Sequence, residues 1–382
     1  MACENSQILF ALLRSAVCGA RLDESVAEAL SNESLAAVMN ISRMHDVAHL
    51  AVAALQSNGI ASIDAQPMLK AIYRSAALNN EYKQLCSALE NAGIGYIPLK
   101  GAILRQYYPE PWMRTSCDID VLVRPEDLER AILYLTENLQ YEEKERATHD
   151  VSLFSPDGVH VELHFDLVEE GRANKAIDVL RAVWDNVSVE DGYSHRYVMT
   201  DAFFYFYHIA HMAKHFENGG CGIRPFIDLW LLDNIEGIDK SARDALLEEG
   251  GLLQFAGVAR NLSRAWLGGA PMDELSIQMQ NFILRGGTYG TTDNRVALQQ
   301  KKRGGRLGYI LSRMFVPPSK LKRYYPILEK HPWLMPIMQL RRWFMLLNPD
   351  VAKMAKREIK LNNSIDSSKA DEMNSFLKNV GL

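Results

Sequence analysis

From Val159 to Asp166 the chain alternates apolar and polar side chains without a break. Val159, Val161, Leu163 and Phe165 share one parity; His160, Glu162, His164 and Asp166 share the other. A strand sends successive side chains to opposite faces, so this stretch demands a sheet with one face on a core and one polar face. A second stretch, Asp118-Ile119-Asp120-Val121-Leu122-Val123, begins with the same period. Asp118 and Asp120 therefore point one way and Ile119 into the core. If the two strands are neighbours in one sheet, Glu162 joins both aspartates in a cluster of three carboxylates. Such groups repel unless divalent cations sit among them, and all-oxygen ligation suits Mg²⁺. Neutralising any one of the three is then expected to leave the metal-free fold intact or slightly stabilised.

Around these strands, residues 93–198 read as alternating strands and helices. Ile94 to Leu99 is a short strand, Ala102 to Tyr108 a helix ended by Pro109 and Pro111, and Pro125 opens a helix whose buried face carries Leu128, Ile132, Leu133 and Leu135. Tyr141 to Arg146 and Asp150 to Phe154 are expected strands, with Pro156-Asp157-Gly158 turning into the Glu162 strand. A helix is expected around Lys175 to Trp184. Between the first strand and its helix lies Lys100-Gly101; the glycine lets the backbone approach a phosphate closely, with helix N–H groups behind it. Arg114 and Ser116 flank the acidic pair and either reach phosphate oxygens or belong to an exposed loop. Cys117, one residue out of phase with Asp118, is expected in the core.

The strings LKGAILRQYYPEPWMRTSCDIDVLV and VHVELHFDL resemble the nucleotidyltransferase superfamily that includes DNA polymerase β, and within it a bacterial family of uncharacterised nucleotidyltransferases. The resemblance implies an α+β fold: a small mixed-sheet core between N-terminal and C-terminal helical regions. It assigns Lys100 and Gly101 to the turn, Asp118 and Asp120 to the metal-binding pair and Glu162 to the third carboxylate. It implies two Mg²⁺ ions, a nucleoside triphosphate with ATP as first choice, and transfer of a nucleoside monophosphate to an acceptor hydroxyl with release of pyrophosphate. The family's Gly-Gly or Gly-Ser turn is Lys-Gly-Ala here, and the interval from Gly101 to Asp118 is longer than in its most compact members. A non-catalytic nucleotide-sensing or interaction module on the same fold is the alternative.

On this reading residues 1–92 form an N-terminal helical region, 93–198 the core, and 199–382 a C-terminal helical domain. Leu9, Leu12, Leu13, Ala16 and Val17 recur at helical spacing; so do Ile41, Met44, Val47, Ala48, Val52 and Leu55, one helix from Leu35 to Leu55 stopped by Asn58-Gly59. A third helix starts near Pro67. His45 and His49 read as packing or surface histidines. Thr200 caps a long helix from Asp201 to Phe216 on which His208, His211 and His215 share a face. That face either lines the nucleotide or acceptor pocket, forms a buried polar stripe, or joins His164 at zinc. Arg224 and Asp228, one turn apart, could pair with each other, or Arg224 could reach the triphosphate. Gly286-Gly287-Thr288-Tyr289-Gly290 lacks the Lys-Ser/Thr of a P-loop and reads as a flexible connection.

The net charge of −5 argues against a generally basic nucleic-acid binder, but the charge is uneven. Residues 301–360 hold 15 Lys and Arg against 3 Asp and Glu, with Trp333, Trp343, Phe344, Met345 and Leu347 interleaved near Arg341 and Arg342. This segment suits a peripheral membrane contact, another anionic partner, or a solvated helical surface. Five cysteines without C-x-x-C spacing suggest a reducing, cytoplasmic compartment, and no run of 18 apolar residues supports membrane insertion. The acceptor, whether small molecule, sugar, peptide, protein or RNA end, is open.

Overall fold

The computed structural model describes residues 2–60, 64–168, 174–288, 290–318, 321–322, 325, 327–365 and 367–382; Tyr289 of the Gly-rich loop lies outside them. The five strands expected from alternation form one sheet: β1 (Tyr96–Pro98), β2 (Asp118–Val123), β3 (Glu142–Arg146), β4 (Asp150–Phe154) and β5 (His160–His164). Their order is β1-β2-β5-β4-β3. Only β2 and β5 run parallel; the other pairs are antiparallel, so the sheet is mixed and the fold α+β.

One face of this sheet is apolar because every second residue is. Ile119, Val121 and Val123 of β2, Val151 and Leu153 of β4, and Val161 and Leu163 of β5 are buried in one cluster with Leu85 and Leu89 of helix Gln66–Asn91 and Ala131 and Leu135 of helix Leu128–Leu139. Burying each such side chain is worth about 1.5–3 kcal/mol. That core fixes the strand parity, because a slip of one residue would turn the carboxylates inward. Leu133, expected on the buried face of its helix, is exposed instead. A short hairpin, β6 (Val187–Val189) and β7 (Tyr197–Met199), attaches at β1 through a bridge between Tyr96 and Arg196.

The expected single helix from Leu35 to Leu55 is two helices, Asn32–Met44 and Ala48–Ser57. The break falls where Asp46 adopts a left-handed φ of 53°, a conformation that a helix cannot continue through and that Asp tolerates better than most residues. The Gly-rich loop is tethered rather than loose. Thr288 N donates to Met44 O at 3.1 Å, Gly222 N donates to Thr288 O at 3.1 Å, and a Cβ on Gly287 would lie 2.9 Å from Met44 O. Cys117 is exposed, just before β2 begins, with Sγ 3.7 Å from the Arg74 guanidinium.

The chain divides into two compact units, one of Met1–Met212 and Gly222–Thr288, the other of Ala213–Cys221 and Tyr289–Leu382. The second has its own small core of Val296, Ala297, Tyr309, Ile365 and Ala370. Inside it Gln300 Nε2 donates to Asn362 O at 2.6 Å, and Glu358 Oε1 accepts from Tyr309 at 2.5 Å and Arg313 at 2.6 Å. Helix Met335–Phe344 buries no residue, and Leu307, Trp333, Ile337, Phe344 and Leu347 are exposed. Among the described residues, no helix is long and apolar enough to cross a membrane.

Candidate active site

The parallel pairing of β2 and β5 decides what the polar face of the sheet holds. Its register sets Asp118 opposite His160, Asp120 opposite Glu162 and Leu122 opposite His164. Three carboxylates thus occupy adjacent positions on two neighbouring strands. Potential ligand atoms of Asp118, His160 and Glu162 lie within 4.8 Å of one another, as do those of Asp120, Glu162 and His164. Glu162 belongs to both groups.

The two aspartates have opposite electrostatic surroundings. Asp120 is 4% exposed; its Oδ1 accepts from Lys100 Nζ at 2.7 Å and faces His164 Nε2 at 2.9 Å. Burial alone would raise its pKa, but Lys100 and His164 together hold the carboxyl well below the usual range. Among the described residues, Asp118 has no such hydrogen-bonded partner. Burial, then the charges of Asp120 and Glu162, push it up to about 6. Lys100 and His160 offset this only in part, and a divalent cation fits such a crowded oxygen-rich pocket. Asp118, Asp120 and Glu162 would supply carboxylate oxygens, with imidazole nitrogens only at the edge.

Lys100 is held by its backbone. It follows β1 with φ 41° and ψ −116°, a region that non-glycine residues enter only when the surroundings impose it. Gly101 next to it leaves little room for a side chain, since a Cβ there would lie 3.2 Å from Ser116 Cβ and 3.3 Å from Ser116 Oγ, and Ser116 would have to shift. Burial works against the Lys100 ammonium, and Asp120, Tyr207 and Glu162 more than offset it, so its pKa lies above the ordinary value. The resemblance put this lysine on phosphates; in the structure its ammonium is paired with a carboxylate of the cluster.

The loop into β2 is clamped by two arginines. Arg224 does not pair with Asp228. Its NH1 donates to Asp46 Oδ2 at 3.0 Å, Thr115 O at 2.6 Å and Thr115 Oγ1 at 2.9 Å. Asp228, fully buried, accepts on Oδ1 from Arg114 Nε and from the Tyr108 hydroxyl, both at 2.7 Å. Arg114 also donates to Thr115 O at 2.7 Å, and Ser116 Oγ donates to Asp118 O at 3.1 Å. Arg114, Ser116 and Arg224 therefore brace the segment that aims Asp118.

Helix Asp201–Glu217 carries His208, His211 and His215. His208 is buried with Nε2 2.9 Å from Pro225 O, and burial lowers its pKa. None of the groups of potential metal ligands among the described residues includes His208, His211 or His215. His45 and His49 are both buried, His49 Nε2 lying 2.8 Å from Met113 O. Tyr207 of helix Asp201–Glu217 is influenced by the acidic cluster: burial raises its hydroxyl pKa, the nearby Lys100 lowers it, and Asp120 and Glu162 raise it further. Sequence reasoning passed over Tyr207, Asp46 and Thr115, none of which carries a local signal. Parity alone puts His164 on the face of the carboxylates.

No curated protein and no solved structure matches the chain. The profile of a family described as uncharacterised nucleotidyltransferase matches residues 31–268, a span that contains the whole sheet, Lys100, all three carboxylates and both arginine clamps. The chain belongs to that family and is a nucleotidyltransferase.

Proposed function

We propose that the protein transfers a nucleoside monophosphate from a nucleoside triphosphate, ATP first among the candidates, to an acceptor hydroxyl, with Mg²⁺ held by Asp118, Asp120 and Glu162. The acceptor oxygen bonds to the α-phosphorus, the bond from that phosphorus to the bridging oxygen breaks, and pyrophosphate leaves. When bound, the cations would polarise the phosphate and offset charge that develops in transfer. Glu162, 26% exposed where Asp120 is 4%, would take the hydroxyl proton. Lys100 exchanges its contact with Asp120 for a phosphate oxygen as substrate enters, a short move for a four-carbon stem. Free sulfhydryls at Cys18, Cys86, Cys117 and Cys221 fit a reducing, cytoplasmic setting.

The observation that carries this reading is the register that sets Asp120 opposite Glu162 on a face already bearing Asp118. The test is pyrophosphate release by the full chain with each nucleoside triphosphate, with and without Mg²⁺, in cell extract as the source of acceptors. Mass spectrometry then finds the modified product. Release that needs Mg²⁺ and disappears in Glu162→Gln supports transfer. Nucleotide binding without release in any extract would favour the sensing module.

A further inference from the structure

At the C-terminal end of β5, the polar face carries a second group of side chains that shares only His164 with the carboxylate site. The β4–β5 register sets Asp150 opposite His164, and His149 precedes it. The His149 carbonyl is fixed by Phe165 N at 2.9 Å and Asp166 N at 3.2 Å. Potential ligand atoms of His149, Asp150 and His164 lie within 4.8 Å of one another. His149 Nε2 is 3.2 Å from Asp150 Oδ2, and the two imidazole centroids are 5.7 Å apart.

The ring of His164 is only half satisfied. Its Nε2 is committed to Asp120 Oδ1 at 2.9 Å, with Glu162 Oε2 at 3.4 Å. Its Nδ1 is buried and has no hydrogen-bond partner among the described residues, a condition that native structures avoid because it forfeits the hydration of a polar atom. Two imidazoles and one carboxylate form a poor set for Mg²⁺ and a good one for a zinc-class ion, with a fourth position left for water. Metal-bound imidazoles typically donate their other N–H to a carboxylate. The contact from His164 Nε2 to Asp120 has that form.

We propose that His149, Asp150 and His164 bind one transition-metal ion of the zinc class, separate from the proposed Mg²⁺ site. The ion takes the lone pair of His164 Nδ1, which leaves the ring's single proton on Nε2. His164 is then locked as a donor to Asp120. The ion therefore orients a carboxylate of the transfer site without entering it. Binding rests on His149, Asp150 and the His164 ring alone; only this positioning role rests on the nucleotidyl-transfer reading.

The test uses the full chain, stripped with chelator and then kept in excess Mg²⁺ to fill oxygen sites. It is titrated with Co²⁺, followed by its visible d–d absorption, and the bound Co²⁺ is displaced with Zn²⁺. One equivalent is expected to bind. Asp118→Asn should retain it, whereas His149→Gln and Asp150→Asn should each weaken it more than about ten-fold. If circular dichroism shows one of these variants unfolded, the other decides. Absence of Co²⁺ binding, equal binding in both variants, or loss in Asp118→Asn alone would overturn the proposal. Failure of pyrophosphate release with Co²⁺ binding intact would count against nucleotidyl transfer and leave this site standing.

Discussion

Asp118 and Asp120 lie two residues apart and face the same way, yet neutralising them should move stability in opposite directions. Asp118 titrates near 6 in the folded protein, against about 3.9 unfolded. Two pKa units at about 1.36 kcal/mol each make its ionisation cost about 3 kcal/mol at pH 8, and about half of that at pH 5. A folded-state pKa that is raised means that the native state holds the proton more tightly. The contribution is therefore favourable below the unfolded value and is lost as pH climbs through 6. Asp118→Asn removes the charge, so in chelator it should stabilise the protein by up to about 3 kcal/mol at pH 8 and by about half as much at pH 5.

Asp120→Asn should do the reverse. It breaks the 2.7 Å pair with Lys100 and weakens the 2.9 Å contact with His164 at a position 4% exposed. Breaking a buried pair costs about 3–5 kcal/mol, and because Lys100 is 26% exposed and can turn toward water, about 2–3 kcal/mol is expected. Because the folded carboxyl sits below its usual range, that stability is present above the unfolded value near 3.9 and is lost as pH falls below it. Urea unfolding of the three proteins in chelator at pH 8 and pH 5, followed by circular dichroism, reads both effects. A destabilised Asp118→Asn, or a difference from wild type that does not shrink with acidity, would refute the electrostatic reasoning. So would a stabilised Asp120→Asn. Adding Mg²⁺ and nucleotide should then raise the wild type's stability more than that of either variant.

Asp228→Ala leaves Arg114 buried without its carboxylate and should cost about 3–5 kcal/mol in urea unfolding, whereas Arg224→Ala, whose partner Asp46 is 41% exposed, should cost about 1–2 kcal/mol; equal costs would contradict the two clamps. His45, fully buried and lowered to about 4 by burial, contributes stability that is present above 6.5 and is lost as pH falls toward 4, about 2 kcal/mol between pH 8 and pH 5. His45→Leu should flatten the pH profile of unfolding by that amount, and an unchanged slope would sink the assignment. The exposed apolar residues of the basic segment should bring the protein down with anionic vesicles in a salt-sensitive way, and Arg341→Glu with Arg342→Glu should release it; equal sedimentation with neutral vesicles would refute an electrostatic contact.

What could be read from the sequence is what a strand's period of two enforces locally. The parity from Val159 to Asp166 and from Asp118 to Val123 put three carboxylates and their core partners on the correct faces, because a wrong parity would bury charge. Pairings between distant segments were not legible. Arg224 and Asp228 are one helical turn apart, and an exposed helix would let them meet; here Asp228 is fully buried. A buried carboxylate takes whichever donors the surrounding elements bring, and those are Arg114 and Tyr108, 114 and 120 residues away. Asp46 is the same case in reverse: a residue unremarkable within a helical pattern ends its helix, and its side chain accepts from both Thr115 and Arg224.

These pairings bear on how the site works. The acidic strand is local in sequence, but its aim depends on Thr115, whose carbonyl accepts from Arg114 and Arg224. Those two arginines are anchored in turn on Asp228, of helix Arg224–Asp233, and on Asp46, at the break between two N-terminal helices. Among the described residues, the helices outside the sheet thus supply no carboxylate to the cluster, yet they hold the segment that leads into Asp118. Substitutions at Asp46 or Thr115 should accordingly lower transfer more than their small effect on stability implies. A misaimed Asp118 would cost the proposed Mg²⁺ site a ligand, while the apolar face that holds the sheet together is untouched. Transfer that fell only in proportion to the folded fraction of Asp46→Ala would show instead that the sheet alone fixes the site.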